Sequence, residues 1–264
     1  MENANAVARN PSTELLSGEE PGPFGALNEG AASPFLLIGD HAGELVPLKL
    51  NALGLPPEAF LRHIALDIGV AGLGERVAGL LGAEFLRQRY SRLVIDCNRS
   101  PDAEDAIPQV SDGVEIPGNA ALTDEAREAR IASIFRPYHA AISAALDRRT
   151  AAGLGTVLVS LHSFTPVMSG VRRPWRMGVL HQDDSRFSAA MLDLLRGELG
   201  DEAGDNEPYR MDQIDHTVPF HRAGREIDYL EIEVRQDLLE SAEGQERIAT
   251  LLARLLPQAL AIAG

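Results

Sequence analysis

The sequence predicts an α/β domain with a mixed, mostly parallel central sheet that helices cover on both faces. From residue 34 onward, short apolar runs typical of strands alternate with segments of helical spacing. A chain of 264 residues is also long enough to bury one large core. Residues 1–33 are rich in Asn, Ser, Glu, Gly and Pro and lack sustained periodicity. We therefore expect an extended or flexible N-terminal arm, followed by a single domain over residues 34–264.

Six apolar runs are predicted to be strands, because each is short and bounded by polar or turn-forming residues. The first run stops at Asp40 and His41, and the fourth stops at His162. Metal-capable side chains therefore follow two of the predicted strands. The six runs are residues 35–39, 84–89, 93–95, 156–161, 177–180 and 229–235.

Four segments have the spacing of helices, and their ends carry the expected signals. Gly82 suits the C-terminal end of the first helix, and Thr123 is a good N-cap for the second. Pro137 is expected to kink the second helix or divide it in two. The proline-rich residues 101–118 are predicted to form a long loop beside the site. The four helices cover residues 67–82, 123–149, 185–199 and 247–262.

The composition excludes several classes of partner. A formal net charge of −15 would repel the phosphates of nucleic acid and an anionic membrane surface. A small anionic substrate remains compatible with this charge, because a local arginine cluster outweighs a distant field. No apolar run approaches the roughly 20 residues that span a bilayer, and no signal peptide is evident. The single cysteine, Cys97, allows no internal disulfide and fits a reducing cytoplasm.

The residues after the first strand predict a zinc site. His41 and Glu44 are separated by two residues in the chain and can bind one ion from a single turn. His162 is the candidate for the third ligand, because the carboxyl ends of strands meet at one edge of an open α/β sheet. His181 also follows a predicted strand and competes for that position. Three protein ligands with a free fourth position are typical of a metal-assisted hydrolase.

The run over residues 229–235 alternates strictly between apolar and charged residues. Glu231, Glu233 and Arg235 are therefore predicted to share one face of a strand. That face lies either on a solvated edge or along a polar cleft, and the aliphatic residues of the other face favour an interior strand and hence the cleft. A carboxylate in this cleft could take a proton from water and deliver it to a leaving amine.

Two groups of cationic residues are candidates for binding substrate. Arg99 can hold a carboxylate through two parallel hydrogen bonds, and Asn98 adds an amide donor. The alternative is that Arg99 pairs with a nearby acid such as Asp102. Arg172, Arg173 and Arg176 form a second basic cluster between the histidines at positions 162 and 181. Their loop could close over the site or simply offset the acidic surface.

Several of these strings together resemble the N-formylglutamate amidohydrolases, a family of zinc carboxypeptidase-like hydrolases. The resemblance extends over about residues 34–260 and rests on the combination of strings. They are Gly39-Asp40-His41, Asp96-Cys97-Asn98-Arg99, Pro137-Tyr138-His139, Leu161-His162-Ser163-Phe164-Thr165-Pro166 and Glu233-Val234-Arg235-Gln236-Asp237-Leu238.

The resemblance implies a three-layer α/β/α fold and one zinc ion per chain, bound by His41, Glu44 and His162. It also implies that Glu233 is the general base and that Arg99 receives the substrate carboxylate. The implied reaction is hydrolysis of N-formyl-L-glutamate to formate and L-glutamate. Two alternatives stay open, namely a zinc-dependent deacylase or peptidase for another N-acyl amino acid, and a non-catalytic carboxylate-binding protein on the same scaffold.

A dianionic substrate would require cations in addition to the metal, because Zn²⁺ with two ionised glutamates is close to neutral. Arg99 can hold one carboxylate, and either Arg235 or the Arg172 and Arg173 pair can hold the other. The N-terminal arm could pack on a second subunit, so a homo-oligomer is compatible with the sequence.

Overall fold

The computed structural model describes residues 15–182, 185–211 and 215–264. Within these ranges, strands alternate with helices as the sequence predicts. The strands are β1 (Phe24–Leu27), β2 (Phe35–Gly39), β3 (Glu84–Gln88), β4 (Val110–Ser111), β5 (Val114–Glu115), β6 (Val157–Phe164), β7 (Val167–Met168), β8 (Val171–Arg172), β9 (Met177–Leu180), β10 (Ala203–Asp205) and β11 (Asp228–Arg235). The α-helices are α1 (Val70–Leu81), α2 (Asp124–Arg130), α3 (Arg136–Ala151), α4 (Arg186–Leu199), α5 (Thr217–Arg222) and α6 (Ala242–Ala263).

Seven strands form the central sheet, in the order β1-β3-β2-β6-β11-β9-β10. Strands β3, β2, β6 and β11 are parallel to one another. Strand β1 is antiparallel to β3, and β9 is antiparallel to β11 and parallel to β10. The predicted mixed, mostly parallel sheet is therefore confirmed. The four remaining short strands form two hairpins, β4–β5 and β7–β8.

The two faces of the sheet carry different side chains, because successive residues of a strand point to opposite faces. On one face, Val159 and Ile232 belong to an apolar cluster that includes residues of α1, α4 and α6. On the other face, Leu158 packs in a cluster that includes residues of α3. Ser160 and His162 follow on that same face of β6 and are buried. The architecture is thus α/β/α, and its second face becomes polar toward the carboxyl ends of the parallel strands.

Two predicted strands differ from the observed structure. Residues 93–95 form a buried turn instead of a strand, and the backbone N–H of Val94 donates to the carbonyl oxygen of Ser91 at 2.9 Å. Strand β6 does not end before His162, because β11 pairs with it in register as far as Phe164. The imidazole of His162 therefore projects from the sheet itself, where its direction is fixed by the pleat.

The long helical pattern after residue 123 is divided, as Pro137 predicts, although the division precedes the proline. Thr123 caps α2, and its side chain accepts a hydrogen bond from the N–H of Ala126. A π-helical turn, Ile131–Phe135, joins α2 to α3. Pro137 lies in the first turn of α3, directly after this π-helical turn, and its missing N–H removes one helical hydrogen-bond donor there.

The described part of the N-terminal segment lies against the domain. Strand β1 pairs with the edge strand β3, and Leu15 is buried. The hydroxyl of Tyr90 donates to the carbonyl oxygen of Pro21 at 2.7 Å. Residues 1–14 of the predicted arm lie outside the described residues, and its boundary with the domain at residue 33 stays a prediction. None of the described helices combines the length and the apolar character needed to span a bilayer.

Candidate metal centre

A cavity of about 550 Å³ opens at the carboxyl ends of β2, β6 and β11. The predicted loop over residues 101–118 forms part of its wall, through Asp105, Pro108 and the β4–β5 hairpin. The buried side chains at its floor are mostly histidines and carboxylates. They are His41, Asp67, Asp96, His162, Glu231 and Glu233.

His41 follows β2, and its two ring nitrogens have different surroundings. Its Nε2 atom donates to Oδ1 of Asp96 at 2.7 Å, which leaves Nδ1 as the atom that can bind a metal when the ring is neutral. Burial and Arg92 lower the pKa of His41, but the charges of Asp96 and Asp67 exceed these effects and raise it. Nδ1 has no hydrogen-bond partner and lies 3.6 Å from Oδ2 of Asp67. A carboxylate that fixes the tautomer of an imidazole in this way is the usual second layer of a metal site.

Asp96 is itself held in the ionised form. Burial alone would raise the pKa of Asp96, but Arg92 and His41 outweigh it and keep that pKa well below its usual range. Arg92 contributes two hydrogen bonds to Oδ2 of Asp96, at 2.6 and 3.1 Å. The orientation of His41 is therefore set by a charge-assisted network that runs from Arg92 through Asp96.

His162, like His41, directs its Nδ1 atom toward Oδ2 of Asp67. Its Nδ1 atom lies 3.1 Å from Oδ2 of Asp67, and its Nε2 atom lies 2.9 Å from Oγ of Ser160. The rings of His41 and His162 are 5.0 Å apart between centroids. Burial lowers the pKa of His162, but the charges of Glu231 and Asp67 exceed that effect and leave the pKa well above its usual value.

Asp67 completes a group of three possible ligands with His41 and His162, whose ligand atoms all lie within 4.8 Å of one another. Burial raises the pKa of Asp67, but the two histidines lower it far more, so the carboxyl is ionised. Oδ2 also accepts the N–H of Ser163 at 3.1 Å. Two imidazole nitrogens and one carboxylate oxygen match the donor set of a catalytic zinc site, and the unpartnered Nδ1 of His41 points into it.

Glu44 does not join this group, and its side chain is exposed. The backbone around it is fixed by a bridge between Leu45 and Tyr90, with a hydrogen bond of 3.0 Å from the N–H of Leu45 to the carbonyl oxygen of Arg89. A Cβ at Gly43 would collide with the backbone of Arg89, so this segment packs closely on its neighbour. The pairing turns residue 44 toward solvent. Asp67, and not the predicted Glu44, is the carboxylate beside the two histidines.

Glu231 and Glu233 face the cavity from β11, an interior strand between β6 and β9. The cleft interpretation of this alternating strand therefore describes the observed position of the two glutamates. Burial raises the pKa of Glu231 to about 7 and raises that of Glu233 well above its usual range, although His162 opposes both shifts. Oε2 of each glutamate has no hydrogen-bond partner among the described residues. Both groups are thus available to exchange a proton with a ligand.

Arg99 and Asn98 line the cavity, with different partners. Nε of Arg99 donates to Oδ2 of Asp105 at 2.9 Å, and its Nη1 lies 3.7 Å from Oδ1 of Asp215. The amide oxygen of Asn98 accepts the N–H of Thr217 at 2.9 Å, at the start of α5. Asn98 therefore anchors a helix, whereas Arg99 faces the cavity beside two carboxylates.

The other predicted arginines lie farther from the floor of the cavity. Arg172 is exposed in the β7–β8 hairpin, and Arg235 donates two hydrogen bonds to Asp237, at 2.8 and 3.2 Å. Neither of them lines the cavity. Nη1 of Arg173 donates to the hydroxyl of Tyr209, a cavity residue, at 2.9 Å. His181, the rival ligand, pairs with Asp205 at 3.0 Å outside the cavity.

Sequence reasoning missed four residues of this site. The sequence pattern places Asp67 only at the start of a helix. The one local indication of a site is that Asp67 is a single acid among the apolar residues between positions 64 and 70. Arg92 belongs to no recognisable motif. Its role in holding Asp96 is visible only from the hydrogen bonds between the two side chains. Tyr209 and Arg210 belong to a loop that contacts the site through the fold, so no spacing in the sequence identifies them.

Comparisons with known proteins identify the family and the fold of the chain. A sequence model of the N-formylglutamate amidohydrolase family matches residues 33–240. The chain is 34% identical to gene product Atu2144 from Agrobacterium tumefaciens, whose crystal structure superimposes with a TM-score of 0.89 and covers 94% of this chain and 98% of that one. No curated protein matches the chain.

A second solved structure supports the fold. The N-formylglutamate amidohydrolase from Ralstonia eutropha JMP134 is 23% identical, with a TM-score of 0.66. The match covers 92% of this chain and 98% of that one. The mixed sheet and its helical layers therefore recur in a protein whose sequence has diverged substantially.

Proposed function

The chain belongs to the N-formylglutamate amidohydrolase family and is an amidohydrolase, and we propose that it cleaves N-formyl-L-glutamate to formate and L-glutamate. One observation carries this proposal. His41, Asp67 and His162 converge on one point of the cavity, and Glu233 is buried in the same cavity with a free carboxyl oxygen. Metal ligands and a general base in one cavity are the components that metal-assisted hydrolysis of an amide uses.

We assign the metal ligands to His41, Asp67 and His162, and the metal to one Zn²⁺ per chain. The donor set fits zinc, because zinc accepts imidazole nitrogen and carboxylate oxygen and its catalytic sites have three protein ligands. Asp96 and Ser160 would hold the two imidazoles in position through their Nε2 atoms. A zinc ion held there would supply Lewis-acid chemistry, polarising the scissile carbonyl and acidifying water.

Glu233 is the proposed general base. It would accept a proton from the attacking water and later deliver that proton to the departing amine, so that formate and glutamate leave as separate products. Burial raises the pKa of Glu233 and His162 opposes this shift, and a metal cation on the adjacent ligands would lower the pKa further. Glu231 lies one layer deeper on the same strand face, opposite Ser160.

Arg99 is the proposed receptor for a substrate carboxylate. Its present partner Asp105 is largely exposed, so a substrate carboxylate can replace that pairing at little cost. Arg210, which also lines the cavity, is the candidate for the second carboxylate of a dianionic substrate. Arg172 and Arg235 are left out of this assignment because neither contributes to the cavity wall.

The size of the cavity favours a second candidate substrate class. About 550 Å³ falls within the range of roughly 300–1,000 Å³ found for drug-sized ligands. An N-acyl amino acid with a larger acyl group would therefore also fit, and a deacylase is the alternative. We propose the cytoplasm as the site of action, because the single cysteine is buried and free.

The test combines metal analysis with a substrate panel. Purified protein would be assayed for bound metal and then for formate release from N-formyl-L-glutamate, before and after treatment with a chelator and re-addition of Zn²⁺. We expect activity that the chelator abolishes and zinc restores. The same assay with N-acetyl and N-succinyl glutamate measures amine release, and faster turnover of either compound would replace the formyl group in the proposal.

A further inference from the structure

The segment that carries Tyr209 is built to pass closely over the sheet. Gly178 in β9 lies directly under the carbonyl oxygen of Glu207, and a Cβ at this glycine would collide with that oxygen. Oδ1 of Asn206 accepts the N–H of His181 at 2.9 Å, which joins the segment to the end of β9. These contacts bring Tyr209 to the wall of the cavity.

Arg173 holds the phenol of Tyr209 in a defined orientation. Its Nη1 atom donates to the phenol oxygen at 2.9 Å, and its guanidinium carbon lies 4.6 Å from the centroid of the ring. The guanidinium also lies 5.8 Å from the ring of Phe164, at the end of β6. Because Arg173 supplies a donor to the phenol oxygen, the phenol proton remains free to bind an acceptor in the cavity, and the cation makes that proton a stronger donor.

The phenol lies in the electric field of the candidate site. Tyr209 as a whole is 42% exposed, and the burial of its remaining part raises the pKa of the phenol. The charges of Glu233 and Asp67 raise that pKa further, and Arg173 opposes them. The phenol therefore stays protonated at neutral pH and within the influence of both the candidate base and a candidate ligand. A neutral, fixed hydroxyl is suited to stabilising negative charge that appears only during reaction.

We propose that Tyr209 is a catalytic residue that donates a hydrogen bond to the oxyanion of the hydrated amide, and that Arg173 is its positioning residue. The inference rests on the proposed amide hydrolysis. When water oxygen bonds to the amide carbon, the carbonyl electron pair moves onto the carbonyl oxygen, which Tyr209 then stabilises without losing its proton. The pair returns as the C–N bond breaks, and the amine leaves with the proton that Glu233 delivers.

The first experiment separates stabilisation of the oxyanion from binding of the substrate carboxylate. Tyr209→Phe should lower kcat by about 10²-fold while KM changes less than about twofold, because the lost bond forms only in the transition state. A rise in KM at unchanged kcat would instead assign Tyr209 to the carboxylate and overturn the proposal. Unchanged kcat and KM would overturn it as well.

Arg173 is tested through its effect on Tyr209. Arg173→Met should lower kcat by roughly 10-fold, and Arg173→Lys should recover part of the lost kcat. Adding Arg173→Met to Tyr209→Phe should lower kcat little further, because both residues act through one hydroxyl. Arg176→Met is the matched control, since Arg176 belongs to the same loop and its side chain approaches Glu202, at 3.9 Å, instead of Tyr209. Fully additive effects of Arg173→Met and Tyr209→Phe on kcat would show that Arg173 does not act through Tyr209.

A binding measurement keeps this inference separate from the choice of substrate. N-(methylphosphonyl)-glutamate carries a tetrahedral anion at the amide position, whereas N-acetylglutamate has the same carboxylates with a planar amide. Tyr209→Phe should weaken the phosphonyl compound about 10²-fold and leave N-acetylglutamate unaffected, and equal weakening would overturn the inference. If N-formylglutamate is not hydrolysed, the proposed substrate fails, and the kcat comparison is made on the best substrate of the panel, where a ratio near one would overturn the role of Tyr209.

Discussion

Nδ1 of His162 lies 3.1 Å from Oδ2 of Asp67, although the two residues are 95 positions apart in the chain. The contact joins the central strand β6 to the segment that precedes α1. It exists because the backbone N–H of Asp67 donates to the carbonyl oxygen of His41 at 2.9 Å, which holds this segment beside the loop after β2. The candidate metal centre is therefore assembled by backbone pairing before any ion is considered.

Replacing Asp67 should remove the metal, whereas replacing Glu44 should not. Asp67→Asn preserves the shape of the side chain but removes the charged oxygen donor, so we expect zinc content after dialysis to fall at least about tenfold. Glu44→Gln is the matched control, because Glu44 is exposed outside the group. Zinc would be quantified per chain in both proteins by mass spectrometry. Loss of zinc in Glu44→Gln with retention in Asp67→Asn would instead support His41, Glu44 and His162 as the ligands.

Glu233→Gln should reduce turnover without releasing the metal. The amide cannot accept the proton of water, and loss of a general base costs about 10²- to 10⁴-fold in kcat. Glu231→Gln makes the same chemical change two residues earlier on the same strand face, so we expect a smaller loss. Steady-state kinetics and zinc content would be measured for both variants. A larger loss in Glu231→Gln would exchange the roles of the two glutamates.

Arg99→Ala should weaken substrate binding more than it slows turnover. Loss of a charge-assisted hydrogen bond costs about 1.5–3 kcal/mol, which corresponds to a KM roughly 10- to 150-fold higher. Asp105→Asn distinguishes a binding role from a structural one, because Asp105 competes with substrate for Arg99. We expect KM in Asp105→Asn to fall or stay constant. If both variants raise KM equally, the ion pair itself is what matters.

The parts of the fold that the sequence predicted are those set by local pattern. Residues 35–39 and 177–180 match β2 and β9 residue for residue, because each apolar run is bounded by residues that end a strand. The alternation in β11 likewise predicted that Glu231 and Glu233 share one face, and both line the cavity. The carboxyl ends of parallel strands then concentrated the polar groups where topology requires them.

The parts that the sequence could not predict depend on contacts between distant segments. The His-x-x-Glu spacing of His41 and Glu44 contains no information about the pairing of Leu45 with Tyr90, which turns residue 44 outward. Residues 93–95 are apolar whether they form a strand or a buried turn, so three residues cannot distinguish the two. Asp67 becomes a ligand candidate only when the histidines approach it.

A buried histidine pair behind the site should make stability depend on pH. Nε2 of His139 donates to the carbonyl oxygen of Cys97 at 3.0 Å, so its Nδ1 must accept from Nε2 of His221, also at 3.0 Å. His221 is completed by Ser143, whose hydroxyl lies 3.4 Å from its Nδ1. These contacts satisfy both rings while each is neutral, and burial opposes the addition of a proton to either ring.

The sign of the pH effect follows from these pKa values. Burial, with smaller contributions from neighbouring cations and histidines, lowers the pKa of both His139 and His221 to about 3, from 6.5 in the unfolded chain. Between those values the unfolded state binds more protons, so the stability contributed by each ring is complete above about pH 6.5 and is lost as pH falls toward 3. At pH 5 the loss is about 2 kcal/mol per histidine.

The measurement is denaturant unfolding at pH 7.5 and pH 5 in the presence of chelator. His221→Gln keeps one donor and one acceptor but does not titrate, so its free energy of unfolding should fall by about 2 kcal/mol less than that of the wild type over this interval. The candidate ligands His41 and His162 titrate in both proteins, and their contribution cancels in the difference. Equal losses in the two proteins would mean that His221 is already protonated in the folded state, and the neutral chain through Cys97, His139 and Ser143 would then be wrong.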